Sequence, residues 1–131
     1  MFSEVISPRF CETDALGHVN NTVLPVWFEK AREPLFKLFT PDMDIASWRL
    51  IIARIEVEFK AQLHYGKDVE LRTCLEKIGN SSMVVHHEAW QSDVLCAQGS
   101  AVMIHFDYQN QQAIPIPDDI RHELSSHLRK A

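Results

Sequence analysis

The clearest constraint in this chain is a switch in the spacing of apolar residues, from three-and-four to two, near Trp48. From Thr22 to Phe39, residues Val23, Leu24, Trp27, Phe28, Ala31, Leu35, Leu38 and Phe39 recur at helical spacing. That pattern predicts one amphipathic helix with a buried stripe. Asn20 or Asn21 stands where an N-cap belongs, and Pro25 fits a first turn. Pro34 lies inside the run, deletes a bond to the Lys30 carbonyl and predicts a kink. From Trp48 to Leu63 the period becomes two. Ile51, Ala53, Ile55, Val57 and Phe59 alternate with Arg54, Glu56, Glu58 and Lys60, which predicts a long strand with one buried face.

Three more strands follow. Val69, Leu71, Thr73 and Leu75 form the inner face of the first, and Gly79-Asn80 marks a tight hairpin. Ser82 to Gln91 and Val94 to Tyr108 are joined at Ser92-Asp93. Phe2 to Phe10 alternates weakly and reads as an opening strand. Pro117 to Lys130 carries Ile120, Leu124 and Leu128 four apart, which suggests a short C-terminal helix. The order is strand, long helix, four strands, short helix. An 18-residue helix is only ~27 Å long and covers one face of a five-stranded antiparallel sheet. Free edges remain, and free edges template aggregation unless paired. Pairing with a second copy is therefore expected.

Composition narrows the function. A chain of 131 residues supports a single domain, 1–131. Apolar residues make up 46 % and charged residues 24 %, so disorder is excluded. Charges interrupt every apolar run before membrane-spanning length. Glu4, Pro8 and Arg9 break any leader-like start, so a cytoplasmic location is expected. The formal charge of −5, with no basic block, argues against nucleic acid as a partner. Cys11, Cys74 and Cys96 have no metal-type spacing and read as small hydrophobes. Seven histidines likewise form no ligand pattern. His86 and His87 are adjacent on a strand and point to opposite faces, so no metal is expected.

Chemistry concentrates in Glu12-Thr13-Asp14-Ala15-Leu16-Gly17-His18-Val19-Asn20-Asn21, the loop before the helix. A helix start offers unpaired N–H groups and a partial positive charge. A carbonyl aimed there is polarised, and Asp14 on its other side can activate water or attack directly. The plainer alternative is that Asp14 and Asn21 cap turns and the helix. Glu29, on the helix, is the second candidate carboxylate, unless it pairs with Arg32 or is simply solvated.

The run from Asp14 to Arg32, D-A-L-G-H-V-N-N-T-V-L-P-V-W-F-E-K-A-R, resembles the signature of the 4-hydroxybenzoyl-CoA thioesterase family, in its D-x-x-G-H-V-N-N branch. Phe59 to Asp68 and Lys77 to Met83 are similar to further pieces of that family. The resemblance implies an α+β hotdog fold: a five-stranded curved antiparallel sheet wrapped around a long central helix, assembled as homodimers and often homotetramers. It implies hydrolysis of an acyl-CoA substrate, with coenzyme A as part of the substrate and no separate cofactor. Asp14 matches the catalytic carboxylate, and Asn21 the backbone N–H that binds the thioester carbonyl. Gly17 and His18 would shape the turn, and Asn20 would tie the loop or touch the ligand. Asn80, Ser81 and Ser82 match a region that meets pantetheine or nucleotide, and Lys77 is a candidate for a phosphate. Position 21 carries Asn where Tyr or His is common. Two other readings remain: an acyl-CoA or acyl-carrier-protein binding protein, and a dehydratase for which His18 is the only loop histidine.

Overall fold

The computed structural model describes residues 1–130. Five long strands and one short strand form a single curled antiparallel sheet in the order β1-β3-β4-β5-β2. Strand β1 is Phe2–Ile6, β2 Leu50–Phe59, β3 Val69–Ile78, β4 Ser82–Gln91 and β5 Val94–Asp107. The two-residue β6, Gln112–Ala113, pairs with the end of β5. Helices α1 (Val23–Ala31) and α2 (Glu33–Phe39) lie against the concave face, and α3 (Asp118–Ser125) closes one end. This is the α+β hotdog architecture.

The helical stripe is buried as its spacing requires. Leu24, Trp27, Phe28 and Ala31 pack on Val69, Leu71, Ala89 and Ala97. Leu35 and Phe39 pack on Leu75, Met83, Val85, Ala101 and Met103. The predicted kink is a break at Arg32, where Pro34 begins the first turn of α2. Ser92 and Asp93 turn β4 into β5 with φ of 51° and 62°, the paired left-handed conformation that suits a tight hairpin.

Three expectations are corrected. Strand β1 stops at Ile6, and Phe10 enters a 3-10 turn, Phe10–Glu12, with its ring exposed. The final helix ends at Ser125; beyond it the chain extends, and Leu128 bridges Leu75 instead of continuing the helical stripe. In β2 the apolar face is not covered. Ile55 is 48 % and Phe59 56 % exposed, because β2 is a sheet edge paired only with β5. A bulge at Ala53 also reverses the parity, so Leu50 points inward before it and Val57 after it.

Candidate active site

The loop before α1 is held by Glu12. Its buried carboxylate accepts the indole N–H of Trp27 (2.8 Å) and the Arg9 backbone N–H (2.7 Å). Burial opposes its ionisation, but those hydrogen bonds outweigh burial and keep its pKa below the usual range. The Asn20 N–H donates to the Glu12 carbonyl (2.8 Å), so both ends of the loop close on one residue. The sequence places Glu12 at the head of this loop but gives no sign of its role, because its partner Trp27 lies on the far side of the loop.

Between these ends Thr13 pairs with Val19, and the Asp14 N–H donates to the His18 carbonyl (2.7 Å). The turn needs a left-handed residue, and Gly17 supplies it at φ 79°. Asp14 Oδ1 accepts from the Leu16 N–H (2.7 Å) and the His18 N–H (3.1 Å). These two bonds, the Leu16 one first, and the nearby His18 ring hold the Asp14 pKa below that of an ordinary aspartate. One oxygen thus caps the turn. Among the described residues Oδ2 accepts no hydrogen bond, so capping and chemistry need not exclude each other.

The N-cap of α1 is Thr22, whose side chain makes no capping bond, rather than Asn20 or Asn21; Asn20 instead ties the approach to the helix, its Oδ1 accepting from the Thr22 N–H and hydroxyl, both at 3.0 Å. Its carbonyl takes the Val23 N–H (3.0 Å). Among the described residues the Asn21 N–H meets no protein acceptor. Asp14 and Asn21 line one recess of about 580 Å³, together with Leu24 and the 59–63 segment after β2. The loop is docked on that segment by the Val19 N–H to the Leu63 carbonyl (2.8 Å) and the Tyr65 N–H to the Gly17 carbonyl (3.2 Å). The His18 and His64 rings meet edge to face, centroids 5.1 Å apart.

The predicted residues therefore divide. Asp14 and Asn21 share a recess, and Gly17, His18 and Asn20 build the loop that holds them. Lys77, Asn80, Ser81 and Ser82 sit at the opposite end of β3, about 30 Å along the strand from Val69. There the Asn80 carbonyl accepts from the Ile116 N–H (2.9 Å) and the Ser81 carbonyl from the His105 N–H (2.7 Å). One protomer does not bring that hairpin to Asp14. Glu29 is exposed and forms no ion pair with Arg32. Arg32 is instead buried, and its Nη1 donates to His87 Nε2 (3.2 Å). A charged residue within the buried helical stripe was the overlooked signal. Cys74 and Cys96 are buried as expected, whereas Cys11 is exposed. Among the described residues no group of three or more His, Cys, Asp or Glu side chains is placed to hold a metal ion, and no helix is long and apolar enough to cross a membrane.

Comparison with known proteins bears on this geometry. A family profile described as the thioesterase-like superfamily matches residues 8–124. A predicted thioesterase from Bacillus stearothermophilus is 46 % identical, covers 99 % of this chain and 98 % of its own, and superposes with a TM-score of 0.95. A thioesterase from Thermus thermophilus, solved in complex with coenzyme A and Zn, is 27 % identical over 93 % of this chain and 95 % of its own, with a TM-score of 0.82. The Bacillus subtilis (strain 168) protein YsmA, described as uncharacterized, is 24 % identical over 94 % of this chain and 84 % of its own.

Proposed function

The chain belongs to the thioesterase-like superfamily, and from that premise we propose that it hydrolyses acyl-CoA thioesters to a free acid and coenzyme A. One observation carries the reading: an ionised Asp14 with a free Oδ2 shares a recess with the unclaimed Asn21 N–H at the start of α1. The coenzyme A bound to the Thermus neighbour supports the same substrate class.

In this reading the thioester carbonyl oxygen takes the Asn21 N–H, and the positive end of α1 stabilises the charge that grows there. Asp14 Oδ2 accepts a proton from water as the water oxygen bonds to the carbonyl carbon. The tetrahedral intermediate collapses by breaking the C–S bond. The coenzyme A thiolate leaves and is protonated, and the acid departs as its carboxylate. Direct attack by Asp14 gives the same products through an anhydride that water then opens. A thiolate is a good leaving group, so no separate acid is required. The bonds from Leu16 and His18 fix the carboxylate's orientation, which is the preorganisation such catalysis needs.

The site is completed by a second copy. Edge strand β2 presents Ile55 and Phe59 on one face, and Phe59 also lines the recess, so a copy pairing along β2 lies beside the reacting centre. Lys77, Asn80, Ser81 and Ser82 serve coenzyme A only as the hairpin of such a neighbouring copy. Pairing along β2 makes a homodimer; a homotetramer needs a second interface between two such dimers.

The test is Asp14→Asn against a panel of acyl-CoAs. Asparagine still accepts the two N–H bonds but cannot take a proton, so kcat should fall about 10²- to 10⁴-fold while KM stays within about threefold. A variant that keeps near-wild-type turnover on every hydrolysed thioester removes Asp14 from the chemistry. If wild type binds acyl-CoA and hydrolyses none, the protein is a binder.

A further inference from the structure

Arg32 is 3 % exposed, and its Nε is buried without a hydrogen-bond partner. Its one side-chain partner is the neutral ring of His87, which offers no counter-charge. Among the described residues no carboxylate forms an ion pair with it, and the only opposing charge is the field of exposed Glu29, which favours the charged guanidinium but does not offset its burial. A buried cation in that condition is costly unless an anion meets it. Arg32 also lines a groove of about 630 Å³ between the helices and β2, whose walls include Val26, Phe36, Leu50 and Ile52. Other charges on this groove are Glu29, Glu33 and Lys30, all exposed, and Lys30 is held by Glu4 at 3.0 Å.

The groove and the Asp14 recess share no lining residue, but both are walled by α1 and β2. Leu24 and Phe59 line the recess; Val26 and Ile52 line the groove. Along the helix, Arg32 is about 16 Å from Asn21. We infer that this groove is an acyl subsite and that Arg32 receives a carboxylate at the far end of the acyl group, so that the favoured substrates are thioesters of dicarboxylic acids. An apolar trough with a buried arginine on its lining fits that ligand: methylenes cover the walls, and the terminal carboxylate is drawn to the guanidinium, whose Nε has no partner among the described residues. Glu29, three residues before Arg32, opposes the incoming charge and keeps the empty site from attracting anions indiscriminately.

This inference rests on the hydrolase reading but can fail separately from it. The experiment compares succinyl-, adipoyl-, suberoyl- and dodecanedioyl-CoA with neutral acyl-CoAs of matching length, for wild type, Arg32→Gln and Glu29→Gln. Wild type should prefer one carboxyl-terminated length by tenfold or more in kcat/KM. Arg32→Gln should erase that preference, raising KM for carboxyl-terminated chains at least tenfold more than for neutral chains of the same length, and Glu29→Gln should strengthen it. Should Arg32→Gln fail to fold, the wild-type preference and its increase in Glu29→Gln still decide the matter. Brisk hydrolysis of neutral chains with no carboxyl preference overturns the inference and spares the hydrolase reading. Calorimetric binding of free suberate to wild type but not to Arg32→Gln, with no thioester cleaved, supports the subsite and sinks the hydrolase reading. Dissociation of Arg32→Gln into monomers with unaltered chain preference overturns the inference and assigns the anion to a second copy.

Discussion

His87 offers a pH test with a calculable size. Its ring is buried, stacked on Phe28 at 4.8 Å and almost parallel to it. Arginine can only donate, so His87 Nε2 accepts from Arg32, and the proton sits on Nδ1 facing the Thr73 hydroxyl at 3.0 Å. Burial first, and then the Arg32 charge, push the imidazole from 6.5 down to about 3. Below pH 6.5 the unfolded chain takes up a proton that the folded chain refuses until about pH 3. Stability from this group is therefore complete above 6.5 and drains away as pH falls toward 3. Each pH unit in that interval removes up to about 1.4 kcal/mol, so moving from pH 7 to pH 5 should cost about 2 kcal/mol. Urea titrations of wild type and His87→Gln, at one fixed protein concentration, isolate the effect. Glutamine can accept from Arg32 and donate to Thr73 but does not titrate. The wild-type midpoint should drop by about 1 M urea more than the variant's between those pH values. Parallel curves, within about 0.5 kcal/mol, would refute the assignment of a neutral, buried His87.

Asp14→Asn should also leave the urea midpoint close to that of wild type, since its turn bonds survive; a large loss in denaturation would mark Asp14 as chiefly structural. Gly99→Ala places a Cβ 2.6 Å from the Glu56 carbonyl oxygen and 3.1 Å from the Phe28 ring, so a thermal melt should show a loss of about 2 kcal/mol or more. Ile55→Lys puts a charge in the middle of edge β2, and sedimentation should show monomers where wild type is expected to run as the proposed dimer; an unchanged dimer would place the interface elsewhere.

Local signals were legible in the sequence; long-range ones were not. The helix stripe and the break near Pro34 follow from spacing and ring chemistry alone. Val69, Leu71, Thr73 and Leu75 were readable because β3 is flanked by β1 and β4 and buries one face against the helices. Strand β2 shows the same alternation yet stays open, because its apolar residues are not covered within the protomer. Leu128 kept the helical spacing by coincidence, but backbone pairing with Leu75 claims that segment. The loop from Asp14 to Asn21 was legible as a candidate site because the bonds that turn it are local, whereas its docking on Leu63 and Tyr65 comes from far along the chain. Arg32 and His87 lie 55 residues apart, and nothing in either neighbourhood names the other.

Thr73, His87 and Arg32 form a thin polar partition across the interior, with Trp27 and Phe28 on one side and Leu35 and Phe39 on the other. Because few apolar contacts bridge it, each compartment can drift in volume during evolution without forcing its neighbour to repack. A lineage could thus widen or narrow the chamber beside α2 while the compartment beneath α1 kept its shape, and with it the alignment of the reacting loop.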